Sequence, residues 1–409
     1  MRISEKLLCK YAELIVRTGA NVQRGQTVQL TVSVEQHAFA ALIIEECYKA
    51  GARKVNVDWT SDAHAKLNFQ YADCEVLSTV LPWEEAKLRQ MVEDLPCRIM
   101  IVSDDPDALR DIDPGKLSEV SQRRGKVVKP YRNAIDGKHQ WVIAAYPSDK
   151  WARKCYPDSE DAVDRLFEAI LTTVRVREDN DPVQEWKAHT DFIEKKAAWL
   201  NAQGFTSLHY RSANGTDFTV ELIPGAKWEG AGAVNSHNDV FYIPNMPTEE
   251  IFTSPMAGKC EGTLVAVKPL SFNSQLIEQF SITFEHGRAV SCRAEKGQEL
   301  LEQMIHMDEG AAMLGEVALV PKESPVNAFG LFYETLFDEN ACCHCALGMG
   351  VKEVLPGGDD LTMEQAQERG INDSIIHVDF MIGADDLAID GVRPDGETVP
   401  VFRNGTWAK

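Results

Sequence analysis

Apolar and polar side chains alternate along Thr27–Ser33 (Thr-Val-Gln-Leu-Thr-Val-Ser), a period of two that predicts a half-buried strand. Further strands are predicted at Lys54–Thr60, over residues 98–103 and at Trp141–Ala145. Between them, apolar residues return at helical spacing over residues 4–18 and 35–50, the second stretch closing at Gly51 as a C-cap. Strands separated by helices imply an α/β domain with a largely parallel sheet. A charged run, Arg175-Val-Arg-Glu-Asp-Asn-Asp181, precedes Pro182 and a helix predicted over about residues 183–202. Beyond it the pattern changes to short alternating runs at 207–210, 218–222, 264–267 and 280–284, separated by Gly, Pro and Asn. Helices are predicted at 297–305 and 363–369, the second opened by a capping box from Thr362 to Gln365. The expected organisation is an α/β N-terminal domain over residues 1–182 and an α+β, mainly β, C-terminal domain over 183–409.

Composition narrows the function classes. Of 409 residues, 44% are hydrophobic and 26% charged, the balance of an ordinary globular chain that can bury a full core. Asp and Glu number 63 against 42 Lys and Arg, a net charge of −21. Such a field repels phosphate backbones, which argues against a general nucleic-acid partner, and it favours cations. The first residues alternate charges with apolar side chains, so no signal peptide is expected. No run approaches the roughly 18 apolar residues that span a bilayer, so no membrane partner and a cytoplasmic location are expected.

The ten cysteines are mostly scattered, as in reduced proteins. Cys342-Cys343-His344-Cys345 is contiguous and cannot easily wrap one tetrahedral ion, so its cysteines are expected to pack in a core. Gly230-Ala-Gly-Ala-Val-Asn235 lacks the last glycine of a dinucleotide loop and is expected to be a plain loop.

The informative anomaly is charge inside apolar runs, because a buried charge must be paired or neutralised. In Ser374-Ile-Ile-His-Val-Asp-Phe-Met-Ile-Gly383, a strand would point His377 and Asp379 to the same side. Such a pair suits two metal ligands, a base with its orienting carboxylate, or a structural hydrogen bond. Glu316 stands alone in Leu314-Gly-Glu-Val-Ala-Leu-Val320, where a solvent-facing edge position is the plain alternative. Glu339 and His344 lie within a short segment that also fits an acidic turn with a core histidine. Glu249 and Glu250 follow Thr248, which could cap a helix. Taken together, Glu250, Glu316, Glu339, His344, His377 and Asp379 form a carboxylate-rich set with a minority of histidine, the composition that suits two bridged divalent ions.

These same segments resemble the thermophilic aminopeptidase family of metallopeptidases, the aminopeptidase T and aminopeptidase S group. The matching stretches are 215–222, 245–250, 314–320, 336–341, 344–348 and 376–383, with 401–407 at the end, and the likeness in layout spans essentially the whole chain. The resemblance implies a homodimeric exopeptidase that removes N-terminal amino acids from peptides with a free N-terminus. It implies two divalent ions (Zn, Co, Mn or Mg). Glu250, Glu316, Glu339, His344, His377 and Asp379 would hold them, with Glu316 bridging, and Glu316 or Glu249 would move the proton. Two rivals are a two-metal amidase acting on a non-peptide amide and a non-catalytic metal- or peptide-binding relative. One position departs from the family. Val351 stands where a tyrosine is usual, so a hydrogen-bond donor for the oxyanion must come from elsewhere, Tyr333 and Tyr242 being the candidates.

Overall fold

Four parallel strands organise the N-terminal part of the chain: β1 (Thr27–Ser33), β2 (Lys54–Thr60), β3 (Cys97–Val102) and β4 (Trp141–Ala145), in the order β2-β1-β3-β4. The computed structural model describes residues 4–272 and 275–408. Val28, Leu30 and Val32 of β1 and Ile99 and Ile101 of β3 point to one face and are fully or almost fully buried. That face is covered by α1 (Glu5–Leu14) and α2 (His37–Lys49). Tyr11, Phe39 and Tyr146 stack there, and the Tyr11 hydroxyl donates to the Ala145 carbonyl (2.9 Å). The other face is polar over β1, β2 and Arg98 and apolar at Met100, Trp141 and Ile143, and α3 (Pro82–Asp94) and α4 (Pro114–Ile135) border its polar part.

By its contacts the chain divides into two units. The first runs to Lys187 and also takes in Gly232–Pro247. The second comprises Ala188–Ala231 and the chain from Thr248 onward. The helix after the charged run is Pro182–Gln203, so the division at Lys187 falls inside its first turns. The excursion 232–247 is tied into the first unit by backbone bonds, Ile143 N–H to the Pro244 carbonyl (2.7 Å) and Met246 N–H to the Ile143 carbonyl (2.9 Å).

The second unit packs two sheets over one core. Nine strands form an antiparallel sheet that includes Ser207–Arg211, Asp217–Leu222, Pro255–Val265 and Gln275–Glu285. The other sheet has the order His377–Met381, His344–Gly348, Leu314–Leu319, Ile251–Thr253 and Glu229–Gly230, all antiparallel. Leu208, Phe218 and Phe280 of the first sheet share a buried cluster with Val317, Cys345, Leu347 and Phe380 of the second. Gly230 is therefore a strand residue and not part of a phosphate loop. A Cβ on it would lie 2.5 Å from the Glu250 carbonyl oxygen, so glycine permits the close approach. The helix Met363–Glu368 opens with the expected capping box: Gln365 N–H donates to Thr362 Oγ1 (3.3 Å), and Thr362 N–H donates to Gln365 Oε1 (2.9 Å).

Candidate metal centre

Three adjacent strands of the smaller sheet carry the cluster, with His377–Met381 at its edge. Register sets Glu316 beside Ala346, and Ala346 beside Asp379. With a period of two, Glu316, His344, His377 and Asp379 share one face, while Val317, Cys345, Leu347 and Phe380 turn into the core. Ala346 stands between the two carboxylates with only a methyl group, which leaves room in front of the sheet. Glu250 joins from the residue before Ile251–Thr253.

Glu316 faces both imidazoles. Its Oε1 lies 3.6 Å from His344 Nε2, and its Oε2 lies 3.7 Å from His377 Nε2. His344 Nε2 is also 3.1 Å from Glu250 Oε2 and 4.0 Å from Asp379 Oδ1, and His377 Nε2 is 3.5 Å from that same Oδ1. Candidate ligand atoms gather into two triples, Glu250–Glu316–His344 and Glu316–His377–Asp379, with Glu316 common to both. Glu316, His344 and Asp379 are buried, and Glu250 and His377 keep partial access.

The other ring nitrogens are fixed. His344 Nδ1 lies 3.3 Å from the Cys342 carbonyl and His377 Nδ1 lies 2.7 Å from the Met349 carbonyl. A carbonyl only accepts, so each Nδ1 carries hydrogen, and each ring, on losing its Nε2 proton, would offer that nitrogen's lone pair to the cluster. By strict geometry His344 Nε2 and Asp379 Oδ1 are buried with no hydrogen-bond partner among the described residues, although Glu250 Oε2 lies 3.1 Å from that Nε2. Orphaned polar atoms aimed at one another across 3–4 Å are what a shared cation would satisfy, so the residues present fit a bound metal.

The electrostatics agree. Burial raises the Glu316 carboxyl above its ordinary range, opposed by His344. Burial, with Asp379 and Glu250 nearby, holds Glu339 well above the carboxylate range. Burial works against both imidazolium forms, but the surrounding carboxylates prevail: His344 is held well above its usual range and His377 is raised to about 10. Asp379 is lowered, its burial outweighed by His377.

The remaining predicted residues are nearby but differently held. Glu339 lies outside both triples and lines a small cavity of about 30 Å3 together with Asp379, Tyr333 and Thr335. Glu249 is buried, with its Oε2 3.6 Å from His189 Nε2. Its N–H donates to the Asn340 side-chain oxygen (2.7 Å). Thr248 caps no helix, because residues 248–250 lead straight into a strand. Val351 packs its side chain against an apolar cluster around Ile223, Val354 and Ile371. Tyr333 has φ +59, and Asp338 holds the backbone on both sides of it by accepting the N–H groups of Phe332 (2.8 Å) and Glu334 (3.2 Å). Tyr242 belongs to the first unit. Cys342, Cys343 and Cys345 are buried free thiols, Cys343 pushed up to about 12 by burial, which fits packing residues.

Asn340 and His189 were not anticipated as site residues. Asn340 is fully buried and ties the Glu339 segment to Glu249, its amide donating to the Leu336 carbonyl (2.9 Å). His189 meets the Thr248 carbonyl (2.8 Å) and Asn340 the Glu249 N–H, both partners far away in sequence, so no local signal marks them.

A buried carboxylate–histidine cluster with both imidazoles locked by carbonyls has the chemistry of a divalent-metal hydrolase. The chain belongs to the thermophilic metalloprotease family (M29), whose model matches residues 4–407, and that membership implies use of divalent metal. Among its relatives are aminopeptidase AmpS of Bacillus subtilis, 41% identical over 402 residues (97% of each chain), and aminopeptidase T of Thermus thermophilus, 37% identical over 402 residues (97% of each). The solved structure of wild-type AmpT from Thermus thermophilus superposes with a TM-score of 0.91 at 35% identity, covering 99% of this chain and 100% of that one.

Proposed function

We propose that the protein is a dinuclear metal-dependent aminopeptidase. The observation that carries this is Glu316, whose two oxygens address two separate imidazoles, each with its Nδ1 committed to a carbonyl. Glu250, Glu316 and His344 would hold one ion, and Glu316, His377 and Asp379 the other. Glu339 would complete the set from the cavity wall. Four carboxylates with two neutral imidazoles balance two divalent charges, which supports two ions over one. Such ions supply a water of lowered pKa and polarise a carbonyl oxygen. The names of the relatives support peptides with a free N-terminus as substrates.

The protein's own groups do the rest. Glu249, buried beside His189, would take the proton from the attacking water and deliver it to the leaving amine. Tyr333, on the wall shared with Glu339 and Asp379, would donate its hydroxyl to the oxyanion in place of the donor that Val351 cannot provide. A carboxylate of the cluster, or one of the ions it would hold, would also bind the substrate's free α-amino group and enforce cleavage at the first residue. A homodimer in the cytoplasm is the matching expectation, checked by light scattering and by cell fractionation.

The test is hydrolysis of aminoacyl-p-nitroanilides and dipeptides by protein stripped with chelator and reloaded with zinc, cobalt, manganese or magnesium. Cleavage restored by metal, and only for substrates with a free amino group, is expected. Protein that binds two ions yet hydrolyses neither class would overturn the proposal.

A further inference from the structure

A parallel sheet is normally apolar on both faces, because helices cover both. Here one face breaks that rule over β1, β2 and the start of β3, while Met100, Trp141 and Ile143 keep its far side apolar. Gln29 and Thr31 of β1, Asp58 of β2 and Arg98 of β3 point away from the buried face, and register sets Gln29 beside Arg98 and Thr31 beside Asp58. Gln29 is buried, and Thr31, Asp58 and Arg98 are partly covered. The helices α3 and α4 border a cavity of about 830 Å3 over this face, within the roughly 300–1,000 Å3 range of small-molecule sites. No residue of α3 is buried, and in α4 only Val120 and Ile135 are. Two helices thus flank the sheet without packing tightly onto it.

The cavity is basic in a chain of net charge −21. Lys87, Arg98, Arg124, Lys129 and Arg132 line it against Asp58 and Glu84, five positive groups against two negative, a balance of +3. Lys87 pairs with Asp58, and Arg124 with Glu84 (2.7 Å). Arg98, Lys129 and Arg132 make no ion pair among the described residues. Arg98 is half-buried, and its burial together with neighbouring Arg132 lowers its pKa. Independently, Gln29 is only 6% exposed, and its Nε2 is buried with no hydrogen-bond partner among the described residues. Arg98 feels the charge of Asp58, but Asp58 is paired with Lys87, so a guanidinium with no direct ion pair and an amide donor without an acceptor, adjacent on neighbouring strands, both call for oxygen atoms carrying negative charge. Leu88, Met91 and Val128 add apolar wall.

We propose that this cavity is a binding site for a small organic oxyanion, its carboxylate or phosphate held by Arg98 and Gln29 and its apolar body set between the sheet and the two helices. None of these residues belongs to the metal cluster, so this site stands or falls apart from the peptidase reading.

The test is titration calorimetry on the full-length protein with phenyl phosphate and phenylsuccinate, inorganic phosphate and succinate serving as controls without an apolar body. Saturable binding of one aryl anion, weaker for its bare counterpart and weakened by added salt, is expected. Which aryl anion binds separates a phosphate from a carboxylate ligand. Arg98→Met should weaken binding by about tenfold, since it removes a charge-assisted contact. Arg132→Gln, at an exposed helix position, provides a second variant should Arg98→Met fold poorly. Both should keep metal-dependent hydrolysis. No saturable binding at millimolar concentration, or binding unchanged in both variants, would overturn the proposal. So would a change of oligomeric state on Arg98→Met without anion binding, which would mean that a second copy covers this face.

Discussion

At the scale of single residues, position on one strand face decides what each acid or imidazole can do. Glu316 is a lone carboxylate in an apolar run, but its strand is internal, so its side chain meets two imidazoles instead of water. Tyr333 takes a left-handed backbone conformation, unusual for a bulky residue, on the wall shared with Glu339 and Asp379. The two residues predict different failures. Glu316→Gln removes the shared ligand, so metal content measured by mass spectrometry should fall together with activity. Tyr333→Phe keeps every proposed ligand, so metal content and melting temperature should stay unchanged. Its kcat should fall on the order of 100- to 1000-fold, the typical cost of one oxyanion donor, with little change in KM. Full kcat in Tyr333→Phe would remove the tyrosine from the chemistry.

At the scale of elements, the chain made its periodic parts legible and hid its convergences. Thr27–Ser33, Lys54–Thr60 and Trp141–Ala145 form as the alternation predicts, and His377 and Asp379 share a face because i and i+2 must do so in a strand. The meeting of Glu250, Glu316 and His344 depends on pairing between strands far apart in sequence, which no local pattern encodes. The return of residues 232–247 to the first unit is hidden for the same reason. The polar positions Gln29 and Thr31 read as a solvent face and instead line a cavity. Gly315 shows how finely one element adjusts another. A Cβ there would lie 2.2 Å from the Met349 carbonyl oxygen, the atom that accepts from His377 Nδ1. Gly315→Ala should therefore displace that carbonyl and misorient His377. Because outer-shell partners of metal ligands are typically worth roughly 10- to 100-fold, metal affinity should fall by about that factor. Competition with a chromogenic chelator reads the change directly, and unaltered affinity would show that the Met349 carbonyl does not set the ring.

At the scale of the whole molecule, the cluster concentrates acid in a chain that is already strongly acidic. Without a cation, four carboxyl groups crowd two imidazoles, and the protein relieves the repulsion by retaining protons. His377 is raised to about 10 and His344 also lies well above its usual range, while Glu316 and Glu339 are raised by burial. The sign follows from what a ligand must be. With His377 raised to about 10, its metal-free imidazole holds a proton near pH 7.5, but a coordinating imidazole is neutral and a coordinating carboxyl is ionised. Loading must therefore expel protons, so affinity should rise with pH from neutrality up to about 10, the value for His377. The rise should be about tenfold per pH unit for each proton released. Calorimetric titration of the stripped protein with zinc in buffers of different ionisation enthalpy counts those protons. At least one per protein is expected, with fewer in Glu316→Gln if that carboxyl contributes. A count of zero would mean that the metal-free cluster is already deprotonated, and that the carboxylates are separated widely enough to tolerate their charge. In that case the imidazoles would not be acting as counter-ions, and the fit of this cluster to two cations would have to rest on its geometry alone.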